Sequence, residues 1–368
     1  MIAAWFRIKY PYLIDGVIAA SAPIWSFLGL SPPYNPNAFY RVVTDDASSK
    51  GGATDTCKTN FRNALPRIAT LGTSPEGLAL LSSTLRTCHP LRNEEDVWGV
   101  VEWVQAPWAT LAMGDFPYAS SYLLHGMGML PPWPVRAACR SLAPASFPDD
   151  AALLAAVRDA VGVYYNYSGT VSCFYNGVVD VHAGSEHISS YPYTSFLSSS
   201  FPLPRARMAP PRRRPTFPSH ASQTRANECV GDWGYQWCTE MVQPFSSGTN
   251  DDMFWPPSPF NLEESIAECQ ELWGVRPRAT WASIGLGGSD LRAASNMVLS
   301  NGQLDPWHPG GVLHNVSETV VALMITNGAH HLDLMFSDPA DPPDVRAVRE
   351  EEMRHVAKWI QQRAGHIS

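Results

Sequence analysis

The chain has 368 residues, 45% of them hydrophobic and 16% charged, with a net charge of −8. That length allows two domains or one large decorated one, and the hydrophobic share excludes general disorder. The acidic balance gives no reason to expect nucleic acid or an anionic membrane as partner, and no apolar run reaches the roughly 18 residues of a spanning helix.

Residues 1–10 read as a helix, with Ile2, Ala3, Phe6 and Ile8 as its apolar face and Pro11 ending it. Met1 then lies already inside the helix, with no capping residue before it. The same stretch has no basic n-region, no h-region and no small-residue cleavage site, so it is not a signal peptide. The expectation is either a protein that is not secreted or a true beginning that is missing. "GVIAASAPIW" follows as a fully apolar run of the kind that forms a buried parallel strand.

From 31 to 285 the texture is helical. "EEDVWGVVEWVQAPWATLAM" and "DDAALLAAVRDAVGVYYNY" are its clearest stretches, and Asp149 and Asp150 mark a helix start. Within it, residues 177–227 are rich in Ser, Pro and Arg, lack any helical or strand period and read as disordered. Their "APPRRRPTFP" is either a ligand for a proline-recognising domain, a solvated loop, or sequence foreign to the mature protein. After 285, "NMVLSNG" and "TVVALMITNG" read as short buried strands. "PPDVRAVREEEMRHVAKWIQQRAG" reads as an amphipathic helix with Asp344 as cap, Val345, Val348, Val356, Trp359 and Ile360 as buried stripe, and Gly365 as stop. The predicted division is 1–30, a helical region 31–285 and 286–368.

Seven cysteines, at 57, 88, 139, 173, 229, 238 and 269, form no C-x-x-C pair, which argues against a zinc ribbon. Their wide spacing suits structural disulfides in an oxidising compartment, against the alternative of free buried thiols. The sequons at Asn166 and Asn315 point the same way as glycosylation acceptors.

The chemistry rests on order: helix, strand, helical region, strand then Asp305, strand then His330, closing helix. In α/β-hydrolases the acid follows one late strand and the histidine the next, and ligand sites lie at the carboxyl ends of strands. His330 would move the proton of a nucleophile, and Asp305 would hold the other ring N–H. The competing readings are a turn-starting Asp305 before Pro306 and a satisfied loop histidine at 330. His330, His331 and Asp333 as metal ligands are disfavoured, because adjacent histidines do not easily face one ion. His308 and His314 in their Gly-Pro loop read as solvated. Asp251 and Asp252 are candidates for acid–base work but fit backbone binding better. The nucleophile is the gap, for no G-x-S-x-G occurs in the chain.

"MIAAWFRIKYP", "AASAPIW", "FPYASSYL", "VYYNYSG", "CTEMVQPF", "DDMF", "WGVRPR", "SNGQLDPW" and "GAHHLDL", in that order, resemble the serine carboxypeptidase S28 family, that of lysosomal Pro-Xaa carboxypeptidase. The resemblance runs from Met1 to the last helix, interrupted mainly at 177–227. It implies an α/β class chain with an α/β-hydrolase fold and a large inserted helical domain. It implies Asp305 as acid, His330 as base and Trp307 as an aromatic wall for a substrate proline, whose flat ring suits an indole face. The family's serine stands in a G-G-S-Y-G-G stretch directly before the position of Met1. The chain is therefore expected to lack the nucleophile elbow and the early strands, and to be inactive alone. The resemblance also pairs Cys57 with Cys139, Cys88 with Cys173 and Cys238 with Cys269. A further family pair is lost on both sides together, in "SPPYNPNAF" and "QPFSSGTND", and Cys229 is left unpaired.

The expected function is a serine exopeptidase of peptides with a penultimate proline, using no cofactor or metal, in a lysosomal, vacuolar or secreted parent; a homodimer is compatible with it. The alternatives are a dipeptidyl peptidase of the same family, though "AAWFRIKYP" and "VYYNYSG" lean to the carboxypeptidase, and a non-catalytic binding fragment. The missing front and the 177–227 segment together suggest an incomplete gene model, truncated at Met1 and carrying translated intron.

Overall fold

The computed structural model of the protein describes residues 1–126, 128–175 and 233–367. The 177–227 stretch with its "APPRRRPTFP", and Cys229, lie outside the described residues.

Helix α1 spans Ile2–Lys9, but it turns a different face inward from the one the sequence suggests. Ala4 and Arg7 are buried, whereas Ile2 and Phe6 are 78% and 45% exposed. Arg7 goes inside because its donors all find oxygens: Nε reaches Ser295 O at 2.8 Å, Nη2 reaches Ser295 Oγ at 2.9 Å, and Nη1 reaches Pro11 O at 2.6 Å and also Ile14 O. A buried guanidinium is tolerated only when so satisfied. Met1 is the N-cap residue of this helix rather than a residue within it.

Of "GVIAASAPIW" only Val17–Ile18 forms the strand β1. Its parallel pairing nevertheless runs on, with Ala19 N donating to Val298 O and Ser21 N to Ser300 O, both at 2.8 Å. Ser21 then takes φ +47°, which ends the extended chain.

Ala38–Asp46 (α2), Asp55–Leu71 (α3), Pro75–Leu85 (α4), Glu94–Gln105 (α5), Pro107–Met113 (α6), Pro134–Cys139 (α7) and Asp150–Tyr165 (α8) pack around one apolar cluster that includes Phe61, Trp108, Leu111 and Val157. The first long helical stretch is two helices because Pro107 has no N–H to continue the ladder. Asp149 caps α8 as predicted, accepting from Ala152 N at 2.8 Å. Trp233–Thr239 (α9), Leu262–Trp273 (α10) and Trp281–Gly285 (α11) follow. Three disulfides hold this region: Cys57–Cys139 joins α3 to α7, Cys88–Cys173 ties the segment after α4 to the segment after α8, and Cys238–Cys269 joins α9 to α10.

Met297–Gly302 (β2) and Val320–Ile325 (β3) complete a parallel sheet of order β1-β2-β3 among the described residues, with Met297 opposite Val17 and Val320. Alternation splits its faces. Met297, Leu299, Val320 and Ala322 pack with Ala4, Trp5 and Ile8 of α1. Leu323 and Ile325 pack with Val345 and Val348 of the last helix, Pro343–Ile367 (α12). Every residue of β2 is buried, as a strand covered on both faces requires.

Helix α12 differs from expectation in three details. Asp344 lies in its first turn, accepting from Asn327 N at 3.0 Å and Val345 N at 3.1 Å. The helix runs through Gly365 to Ile367, since a helical glycine costs only about 1 kcal/mol against alanine. The inward stripe is Val345, Val348, Glu352 and Trp359, with Val356 half-buried; Ile360, one residue around the helix from Trp359, is 65% exposed.

Candidate active site

The ends of the three parallel strands meet at one place. Asp305 follows β2 by three residues, His330 follows β3 by five, and Ser21 ends the β1 pairing. The turn after β3 folds back onto the end of β2, where Leu304 N donates to Gly328 O at 2.9 Å. Gly302 permits that approach, because a Cβ there would stand 2.3 Å from Gly328 O.

His330 Nδ1 lies 2.9 Å from Asp305 Oδ2, and Asp305 is wholly buried. The carboxylate also accepts the Trp307 N–H on Oδ1 at 3.1 Å. Burial by itself drives the Asp305 carboxyl up. The electrostatic pull of the facing His330 ring, with hydrogen bonding from His330, Ser21 and the Trp307 amide, outweighs it and holds the group below the usual carboxylate range. An ionised Asp305 must accept from Nδ1–H, so the His330 tautomer leaves Nε2 as the basic nitrogen. The backbone N–H of His330 donates to Met113 O at 3.1 Å, so α6 holds this residue from the helical side.

His331 takes φ +60°, and its ring centroid lies 3.8 Å from that of His330, the planes tilted by 52°. Burial, and then the neighbouring His330, push it down to about 3, so it is neutral. Asp333 does not join the two histidines; its Oδ2 accepts from Ser300 Oγ at 2.5 Å beneath the sheet. His314 is exposed as expected. His308 is not solvated: its ring is half-buried, Nδ1 reaches Asp305 O at 2.9 Å, and burial lowers its pKa. Asp252 binds backbone, accepting from Gly248 N, Thr249 N and Phe254 N at 2.9–3.0 Å, while Asp251 is exposed.

His330 and Trp307 both line a cavity of about 350 Å³, together with Met113, Tyr122, Tyr165 and Gln243. A cavity of this size fits a small ligand or part of a peptide. Trp307 is pinned by edge-on contacts with Phe39 and Phe245, and its Nε1 points at Met113 Sδ at 3.2 Å. Met113, Phe39 and Phe245 carry no local signal of this role in the sequence, because they reach the site only through tertiary packing, Met113 and Phe39 from helices and Phe245 from irregular chain. Ser21 could have been found: it stands in "AASAPIW", at the carboxyl end of a predicted parallel strand.

Comparison with known proteins adds independent findings. The family described as Serine carboxypeptidase S28 matches residues 1–195 and 218–352, leaving out 196–217. Lysosomal Pro-X carboxypeptidase of Bos taurus is 35% identical over 361 residues, and that of Homo sapiens 36% identical over 362; each alignment covers 98% of this chain and 61% of the relative. Thymus-specific serine protease of Homo sapiens is 23% identical over 370 residues, again 98% of this chain and 61% of the relative. The chain thus spans about three-fifths of the length of these curated relatives.

Proposed function

The chain belongs to the serine carboxypeptidase S28 family, and from that premise we propose that its Asp305–His330 pair is the acid–base half of a serine peptidase cleaving after proline near a peptide's end. The observation that carries the reading is the 2.9 Å contact of His330 Nδ1 with the buried Asp305 carboxylate, at the edge of the Trp307 cavity. In this reading His330 Nε2 takes the proton of a serine and returns it to the leaving amine. Asp305 keeps the imidazole in one tautomer and stabilises the imidazolium. Trp307 sets an indole face against the pyrrolidine ring. The Pro-X carboxypeptidase relatives favour release of a residue after a penultimate proline, and their lysosomal designation favours an acidic compartment.

The three strands are read as the late strands of an α/β-hydrolase sheet, and residues 31–285 as an inserted helical domain. No G-x-S-x-G occurs in these residues, so on this reading the nucleophile is not among them. Loss of a triad serine costs on the order of 10⁶ in rate, and this chain alone does not acylate. Asn166 and the exposed Asn315 are assigned as glycosylation acceptors.

The test has two parts. A fluorophosphonate probe should leave the chain unlabelled; labelling that disappears in His330→Ala would refute the missing nucleophile. Calorimetry with an N-blocked prolyl-phenylalanine should show binding that weakens at least tenfold in Trp307→Ala. Equal affinity in that variant would remove the substrate assignment of the cavity.

A further inference from the structure

Ser21 has three features that together exceed what a loop serine needs. It is 4% exposed, it holds φ +47°, and its own N–H is already spent on Ser300 O at 2.8 Å. A non-glycine residue in the left-handed region persists only where its surroundings hold it there.

The hydroxyl explains the position. Ser21 Oγ accepts the backbone N–H of His331 at 3.0 Å. A serine hydroxyl has a single proton to donate. With its oxygen occupied by that amide, the proton is free to turn toward the Asp305 carboxylate, whose ionised form the Ser21 hydroxyl favours. The ionised carboxylate is an acceptor only, so the hydroxyl can act on it only as a donor. His331, whose N–H is captured, is itself in the left-handed region at φ +60°. The carbonyl of Ala20, the residue before Ser21, opposes the lowering of its ring pKa, and among the described residues its Nδ1 has no hydrogen-bond partner. The end of β1 therefore grips the acid through one atom and the backbone next to the base through the same atom.

We propose that Ser21 is a positioning residue that locks the Asp305 carboxylate to the His330–His331 backbone and so fixes the orientation of the acid–base pair. Its consequence for peptide cleavage rests on the peptidase reading, but the orientation is a property of this chain and is measurable without turnover. Losing the hydroxyl frees the carboxylate to rotate about its remaining bonds to Trp307 N and His330 Nδ1, and leaves the His331 amide without an acceptor.

The experiment is proton NMR of the ¹⁵N-histidine-labelled chain, following the deshielded Nδ1–H of the His330–Asp305 hydrogen bond. Asp305→Asn serves as the control that assigns it, and thermal unfolding checks that each variant is folded. Ser21→Ala should shift the resonance upfield or broaden it by exchange at least tenfold faster than in the parent chain. Ser21→Gly should do the same while melting no lower than Ser21→Ala, because glycine accepts the left-handed backbone but lacks the hydroxyl. A folded Ser21→Ala chain whose Nδ1–H keeps its position and exchange rate overturns the assignment of Ser21 alone. Absence of an Asp305-dependent resonance in the parent chain removes the pair itself, and both readings fall together.

Discussion

Replacing Asp115 by Asn tests how this fold depends on acid. Asp115 is wholly buried between α6 and α7. Its Oδ1 accepts the N–H of Val135 at 3.0 Å, which caps the start of α7 from twenty residues upstream, while among the described residues Oδ2 has no hydrogen-bond partner. Burial pushes the carboxyl from 3.8 to about 7, against the opposing pull of Val135 N–H and Arg136. At 1.36 kcal/mol per pH unit that is about 4 kcal/mol in all. The sign follows from linkage. The folded state holds the proton more tightly, so the stabilisation is complete below the unfolded value of 3.8 and is lost as pH rises through about 7. Between pH 5 and pH 7.5 this one group should cost the chain about 2.5 kcal/mol. Asn keeps the acceptor for Val135 N–H and cannot ionise. Urea unfolding of both proteins at the two pH values, disulfides intact, should show the variant gaining about 2.5 kcal/mol relative to the parent at the higher pH. A relative change below about 0.5 kcal/mol would refute the reasoning, since it would mean Asp115 ionises inside the fold at no cost. Glu102, raised to about 7, and Glu352, raised to about 8, are shifted by burial in the same direction and lose stability over the same window, while His331, lowered to about 3, opposes them.

Removing the Cys57–Cys139 bridge as a double alanine variant opens a loop with a sequence separation of 82. Loop-closure entropy predicts a loss of about 4 kcal/mol in urea unfolding; a loss below about 1 kcal/mol would mean that the α3–α7 packing already restrains the unfolded chain. Arg349 donates to Asp333 O, Leu332 O and Met335 O at 2.7–3.1 Å and pairs with the buried Asp341. Arg349→Met should cost about 3–5 kcal/mol by stranding that carboxylate and should speed amide hydrogen exchange at residues 332–335, just beyond the histidines. Unchanged exchange there would show that the turn does not depend on the helix behind it.

Much of the site was readable because it depends on order along the chain. Asp305 and His330 each follow a short apolar run, and a parallel strand buried on both faces leaves few other uses for a run of that length. The cysteine pairing came from motif resemblance, and the three bonds are present in the fold. Periodicity did less well on α1 and α12. It counts apolar residues and cannot see that Arg7 inside is satisfied by Ser295, Pro11 and Ile14, nor that Glu352 lies on the buried stripe.

Composition and spacing were sufficient for the helix-rich middle of the chain, the two strands after 285 and the places of Asp305 and His330 just beyond them, because these rest on local hydrogen-bonding and burial periods. Tertiary structure alone decided what surrounds the pair. Met113 O on the His330 amide, the Phe39 and Phe245 edges against Trp307, and the Ser21 hydroxyl on the His331 amide are contacts across long sequence separations. Their partners are chosen by how helices and strand ends pack, and no local pattern of residues encodes that choice.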